Sequence, residues 1–145
     1  MKNKHLFLFP LSVLLFSFFI FTSSCKKEPG AGGNSSIKGN VSVRQYNAST
    51  GSFDKTLTGA DEDVYIIYGD EVGYGDRLRS DYEGDFEFKY LRRGKYKVYL
   101  YSIDSAAYLG PPVNINAPRI AVIKEIEVTD KKQTVDAGTI IILKD

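Results

Sequence analysis

The stretch from Asp85 to Ser102 constrains the fold more than any other part of the chain. In DFEFKY, residues 85–90, Phe86, Phe88 and Tyr90 alternate with Asp85, Glu87 and Lys89. In KYKVYLYS, residues 95–102, Tyr96, Val98 and Leu100 share one parity. A period of two puts successive side chains on opposite faces of a strand, so each run has one face for a core and one for solvent. Between the runs lies LRRG, residues 91–94. It reads as a hairpin connection: Leu91 plugs the end, Arg92 and Arg93 form a solvated tip, and Gly94 permits the reversal. Gly84 supplies a positive-φ turn position before the first of these strands.

The period-two signal continues on both sides. IKGNVSV, residues 37–43, places Ile37, Val41 and Val43 on one face. VYIIYGD at 64–70, a short RLRSD segment at 77–81, IAVIKEIEV at 120–128 and TVDAGTIIIL at 134–143 add further strands. EVGYGD, residues 71–76, reads as a turn, and residues 47–63 as a long polar connection. Pro111, Pro112 and Pro118 make residues 103–119 a loop. No segment sustains a 3.6-residue apolar period. Seven or so short strands joined by turns predict an all-β fold over residues 37–145, a seven-stranded antiparallel Greek-key sandwich of the transthyretin or Ig-like kind.

The front of the chain reads as an address. Lys2, Lys4 and His5 precede the charge-free apolar run LFLFPLSVLLFSFFIF, residues 6–21, which ends at TSSC, residues 22–25. A basic start, a short apolar stretch and small residues before a cleavage point mark a secretory signal over residues 1–24. TSSC resembles the lipobox of bacterial lipoproteins, in which the cysteine is lipidated and becomes the mature N-terminus. That resemblance implies an acylated Cys25, and several acyl chains on one residue give stable membrane attachment. Lys26 stands where inner-membrane lipoproteins of Gram-negative bacteria usually carry Asp, which implies the outer membrane. Residues 26–36, KKEPGAGGNSS, read with Cys25 as a flexible tether of about 18 Å r.m.s..

Removing residues 1–24 changes what chemistry is available. The remainder holds 17 Lys and Arg against 18 Asp and Glu, a formal net charge of −1. No basic footprint for nucleic acid is present. The only His and the only Met fall in the signal, and Trp is absent. Without histidine, neither a Ser-His-Asp nor a Cys-His apparatus can be assembled, and a His- or Cys-ligated zinc site is excluded. The expectation is a protein that is not an enzyme and needs no cofactor.

With the strands placed, the domain resembles the carboxypeptidase regulatory-like family, a transthyretin-like β-sandwich. The resemblance starts at Ile37-Lys38-Gly39-Asn40-Val41 and passes loosely through GADEDVYI. Its centre is SDYEGDFEFKYLRRGKYKV, which matches a D-x-x-G-x-F-x-F-x-x-L-x-x-G-x-Y-x-V pattern from Asp81 to Val98, and it closes on GTIIIL. The resemblance implies a β-sandwich and an accessory role. It also makes DEDV, residues 61–64, a departure, since the family has a shorter, smaller link there.

Two groups of residues are candidates for sites. Parity puts Tyr65 and Ile67 opposite Val64 and Ile66, and Tyr99 and Tyr101 opposite Val98 and Leu100. In an Ig-like order these strands are neighbours, so the four side chains would form one outward patch, a surface for a protein partner in the envelope or for stacking on a glycan. The competing expectation is that the 45–60 or 103–118 segment covers it. Asp61, Asp63, Asp81 and Asp85, with Glu62 and Glu83 among them, offer clustered oxygen ligands for calcium, without the EF-hand spacing. The sequence therefore leads to a membrane-anchored binding or structural accessory module, with a carbohydrate-binding accessory domain as the alternative.

Overall fold

The computed structural model describes residues 28–110 and 112–145. The expected signal, Cys25 and Pro111 lie outside them. Eight strands follow in order: β1 Ala31–Asn47, β2 Ser52–Thr58, β3 Asp63–Tyr68, β4 Asp76–Arg79, β5 Asp85–Leu91, β6 Gly94–Ile103, β7 Arg119–Val128 and β8 Thr134–Lys144. One helical turn, α1, covers Ser105–Tyr108, with the Asp104 side chain accepting from the amides of Ala106 and Ala107.

The strands form two facing sheets. The first is organised on the long β1. On one side, β8 runs parallel to it from Ser36 to Gln45. On the other, β5 pairs antiparallel with its first half and β2 with its second. The second sheet is antiparallel throughout, in the order β4-β3-β6-β7. Their inner faces meet in one core. Ile37, Val41, Phe86, Phe88, Leu91, Ile140 and Ile142 come from the first sheet, and Val64, Ile66, Tyr96, Val98, Leu100 and Val128 from the second. Each fully buried aliphatic or aromatic side chain contributes about 1.5–3 kcal/mol.

The sandwich is as expected, with four corrections. The strands number eight rather than seven, because residues 52–58 of the supposed polar connection pair with β1 as an edge strand. Its exposed, polar sequence has no inward face to alternate. The first sheet is mixed rather than wholly antiparallel, since the last strand joins β1 in parallel.

The Leu91–Gly94 connection is not a hairpin. β5 belongs to the first sheet and β6 to the second, so Arg92 and Arg93 bridge the gap between sheets. Tyr90 precedes the gap. Its φ is +58°, which breaks the alternation one residue before the strand ends, while Leu91 still pairs with β1. Tyr90 is consequently 71% exposed, and Leu91 takes the inward place. Gly94 has φ +146°, and a Cβ there would strike the Pro29 ring. Arg92 is half-buried with its Nε atom unpartnered, so only Arg93 remains a solvated tip.

The fourth correction concerns the tether. β1 begins at Ala31, six residues before the expected boundary, and Ser35 and Ser36 are buried. The Gly30 amide donates to the Tyr96 hydroxyl at 3.0 Å, and the Arg92 amide donates to the Gly30 carbonyl at 2.9 Å. Ser35 donates through its hydroxyl to the Asp130 carbonyl. A Cβ on Gly33 would overlap the backbone of Leu91. The small residues of PGAGGNSS thus serve close backbone approach, and flexible-linker composition was a misleading signal there.

Candidate binding face

The outer face of the second sheet brings the predicted tyrosines together. β3 and β6 are neighbours, with Tyr65 directly across from Tyr99. Their rings stack with centroids 5.0 Å apart and planes 14° apart. Tyr101 meets Tyr65 edge-on at 5.8 Å and Tyr99 at 5.7 Å. Tyr74, from the β3–β4 connection, meets Tyr65 edge-on at 5.3 Å. Each such aromatic pair is worth about 0.5–1.5 kcal/mol beyond burial, so the four rings hold one another in place. On β7, the exposed Ile123 stands opposite Tyr99 and Ala121 opposite Tyr101. Ile67 shares the face at its margin, opposite Lys97.

Among the described residues, neither long segment covers this face. Residues 52–58 form β2 on the other sheet. The 103–118 segment carries α1, whose Tyr108 packs on Tyr46 at 5.1 Å and Phe53 at 5.2 Å. That second aromatic cluster involves β1 and β2, away from the tyrosine face. Tyr74 remains 58% exposed and Tyr101 47%. Loss of water among its neighbours pushes the Tyr99 hydroxyl above the usual phenol range, and proximity to Tyr101 adds to the shift.

Tyr74 and Ile123 were missed by the sequence reading. Ile123 was accessible to it: once β7 lies beside β6, parity places it next to Tyr99. Tyr74 carried no signal, because EVGYGD announces a turn without saying over which face it folds. Beyond the tyrosines, the face becomes charged. Lys97 pairs across from Glu125 and Lys95 from Glu127. These four, with Gly69, Asp70 and neighbouring residues, line an open depression of about 430 Å³.

The calcium candidates do not form a site. Arg79 Nη1 lies 2.9 Å from Asp61 Oδ1, and its Nε lies 3.4 Å from Asp63 Oδ1. Arg77 Nη1 lies 3.7 Å from Asp63 Oδ2. Asp81 Oδ1 accepts the amides of Glu83 and Asp85 at 2.9 and 2.8 Å, holding its own turn. Asp85 Oδ1 accepts from Asn40 Nδ2 at 2.7 Å. Asp61, Asp81 and Asp85 thus accept from arginine, turn and asparagine donors, while Asp63 lies at ion-pair distance from Arg77 and Arg79 with its buried Oδ1 unpartnered. Among the described residues no group of three His, Cys, Asp or Glu is placed to hold a metal. The acidic departure at 61–63 has a structural purpose instead. It fastens β4 through the arginines, and Glu62 Oε1 receives Lys144 of β8 at 2.6 Å.

No protein-family model matches the chain, and no curated protein matches it. Among solved structures, a candidate carbohydrate-binding protein of Pseudomonas aeruginosa aligns with 79% of this chain and 91% of its own, at 13% identity and a TM-score of 0.45. A 9R-lipoxygenase from Cyanothece aligns with 92% of this chain and 20% of its own, at 17% identity and a TM-score of 0.36. Both scores lie below the overlap at which a shared fold is inferred. The architecture therefore rests on the two sheets themselves.

Proposed function

We propose that this protein is a non-catalytic binding module, anchored to the outer membrane through a lipidated Cys25, whose tyrosine face docks a protein partner of the same envelope. The observation that carries the docking role is the uncovered cluster of Tyr65, Tyr74, Tyr99 and Tyr101 flanked by Ile123. Tyrosine is enriched in the buried centres of protein interfaces because it offers area at low entropic cost and a polar tip. The mutual stacking of Tyr65 and Tyr99 favours a protein over a sugar. It occupies one face of each ring, and Tyr74 and Tyr101 crowd the pair edge-on, so less free ring face is left for a sugar to stack on. The anchoring role is carried by the TSSC motif behind its apolar run.

A glycan ligand is the second reading, favoured by the neighbouring depression, where Lys95, Lys97, Glu125 and Glu127 offer donors and acceptors beside the aromatic surface. The test is a photo-reactive amino acid at position 101 in intact cells. The expected result is one discrete adduct that disappears with Tyr99→Ala and Tyr65→Ala while the fold is unchanged by circular dichroism. An adduct indifferent to both substitutions, or binding of oligosaccharides by the mature chain in calorimetry with no adduct, would overturn the protein reading.

A further inference from the structure

The corrected start of the domain determines how it stands on a membrane. Resting on the anchoring at Cys25 proposed above, we infer that the sandwich is held with its Pro29–Gly94 pole against the bilayer. It does not float on a tether. Pro29 is seated between Gly69 and Gly94, since a Cβ on either glycine would touch its ring. Gly30 is fixed from both sides, its amide donating to the Tyr96 hydroxyl and its carbonyl accepting from the Arg92 amide. From there β1 is paired with β5 and β8.

Only Lys26, Lys27 and Glu28 separate Cys25 from Pro29. Four backbone steps span at most about 14 Å. An acylated cysteine has its chains in the bilayer, so the Pro29 pole lies within that reach of the headgroups. The pole carries Arg93 and, on the β7–β8 turn beside Ser35, Lys131 and Lys132. It also carries Asp70 and Asp130, so its charge is mixed and covalent reach sets the orientation. The surface it meets is a phospholipid headgroup layer.

The orientation bears on the binding face. Tyr99 lies five residues along β6 from Gly94, about 17 Å farther along the strand. The tyrosines therefore stand on the side wall of the sandwich, clear of lipid and open to a partner arriving along the membrane.

The test uses the full-length lipidated protein in vesicles of phosphatidylethanolamine and phosphatidylglycerol containing a headgroup-nitroxide lipid. Cys25, thioether-linked, has no free thiol, so a single introduced cysteine takes one fluorophore. Arg93→Cys and Lys131→Cys probe the inferred contact pole, and Ala48→Cys the β1–β2 turn at the other end. Several-fold stronger quenching at 93 and 131 than at 48 is expected. A flexible insert of roughly twenty Gly and Ser residues after Lys27, spanning about 25 Å r.m.s., is expected to remove most of the difference. Equal quenching at both poles, or a bias that survives the insert, overturns the inference while leaving the anchor in place. Failure to float with vesicles, with no acyl-glyceryl mass on Cys25, overturns the anchoring reading itself.

Discussion

Tyr96→Phe removes one oxygen atom and tests how the N-terminal segment is held. The Tyr96 hydroxyl accepts from the Gly30 amide at 3.0 Å and donates to the Arg92 carbonyl at 2.6 Å. The second bond reaches four residues back from near the start of a strand, the geometry of a tyrosine corner. Phenylalanine keeps the ring in the core but leaves a donor and an acceptor unpaired. Each net hydrogen bond is worth about 1 kcal/mol, with more lost where a buried group stays unsatisfied, so the expected loss is about 2–3 kcal/mol. For a domain of this size that lowers the melting temperature by about 8–12 °C. Urea unfolding measures the loss, and hydrogen exchange is expected to show residues 28–36 opening first. The pH dependence has a definite sign. Burial pushes the Tyr96 hydroxyl above its ordinary value, partly opposed by its backbone partners and the Arg92 charge. The folded chain therefore keeps a proton that the unfolded chain releases near pH 10. This contribution is complete below that pH and declines as pH rises toward the folded value. The gap between wild type and Tyr96→Phe is expected to narrow above about pH 10. A loss under about 0.5 kcal/mol, or protection of residues 28–36 equal to wild type, refutes the account.

Gly33→Ala is expected to cost about 1–3 kcal/mol, because its Cβ would overlap the Leu91 backbone; proteolysis near residue 30 would rise with it. Tyr90→Gly is expected to stabilise by up to about 1 kcal/mol in denaturant melts, since it relieves a left-handed backbone at an exposed side chain. Calcium at millimolar concentration is expected to leave the melting temperature unchanged, and a rise of several degrees would show that Asp61 and Asp63 can leave their arginines.

Much of this fold was legible because its central strands have one wet and one dry face. Ile37, Phe86, Val98 and Leu100 all sit where parity puts them. What parity cannot report is which sheet a strand joins. LRRG looked like a hairpin because both flanking strands alternate. The deciding facts were that Leu91 stays paired with β1 while Gly94 already pairs with β7, and that Tyr90 breaks the alternation with a positive φ; none of these gives a local warning. β2 escaped because an exposed edge strand buries neither face, and the alternation rule needs burial. The tether was misread for a related reason. Glycine and serine leave a chain free in solution, and they also let two backbones touch. Only the partners, Leu91, Tyr96 and Asp130, distinguish the cases.

The same parity supplies the strongest argument that the tyrosine face has a use. Tyrosine favours strands for reasons of packing alone, so its presence on β3 and β6 proves nothing. Strand preference, however, makes no distinction between the two outer faces of one sandwich. The first sheet turns Lys38, Asn40, Ser42 and Arg44 of β1 and Asp85, Glu87 and Lys89 of β5 outward, with Ile141 among them and a single exposed tyrosine, Tyr90, at the end of β5. The second turns out Tyr65, Ile67, Tyr99, Tyr101 and Ile123, with Tyr74 added by the β3–β4 connection, and keeps its charges, Lys95, Lys97, Glu125 and Glu127, toward one end. Two sheets of one domain meet the same solvent and follow the same rules of pairing. Propensity explains aromatic residues in strands. It does not explain their gathering on one side, and the partner contact proposed above would.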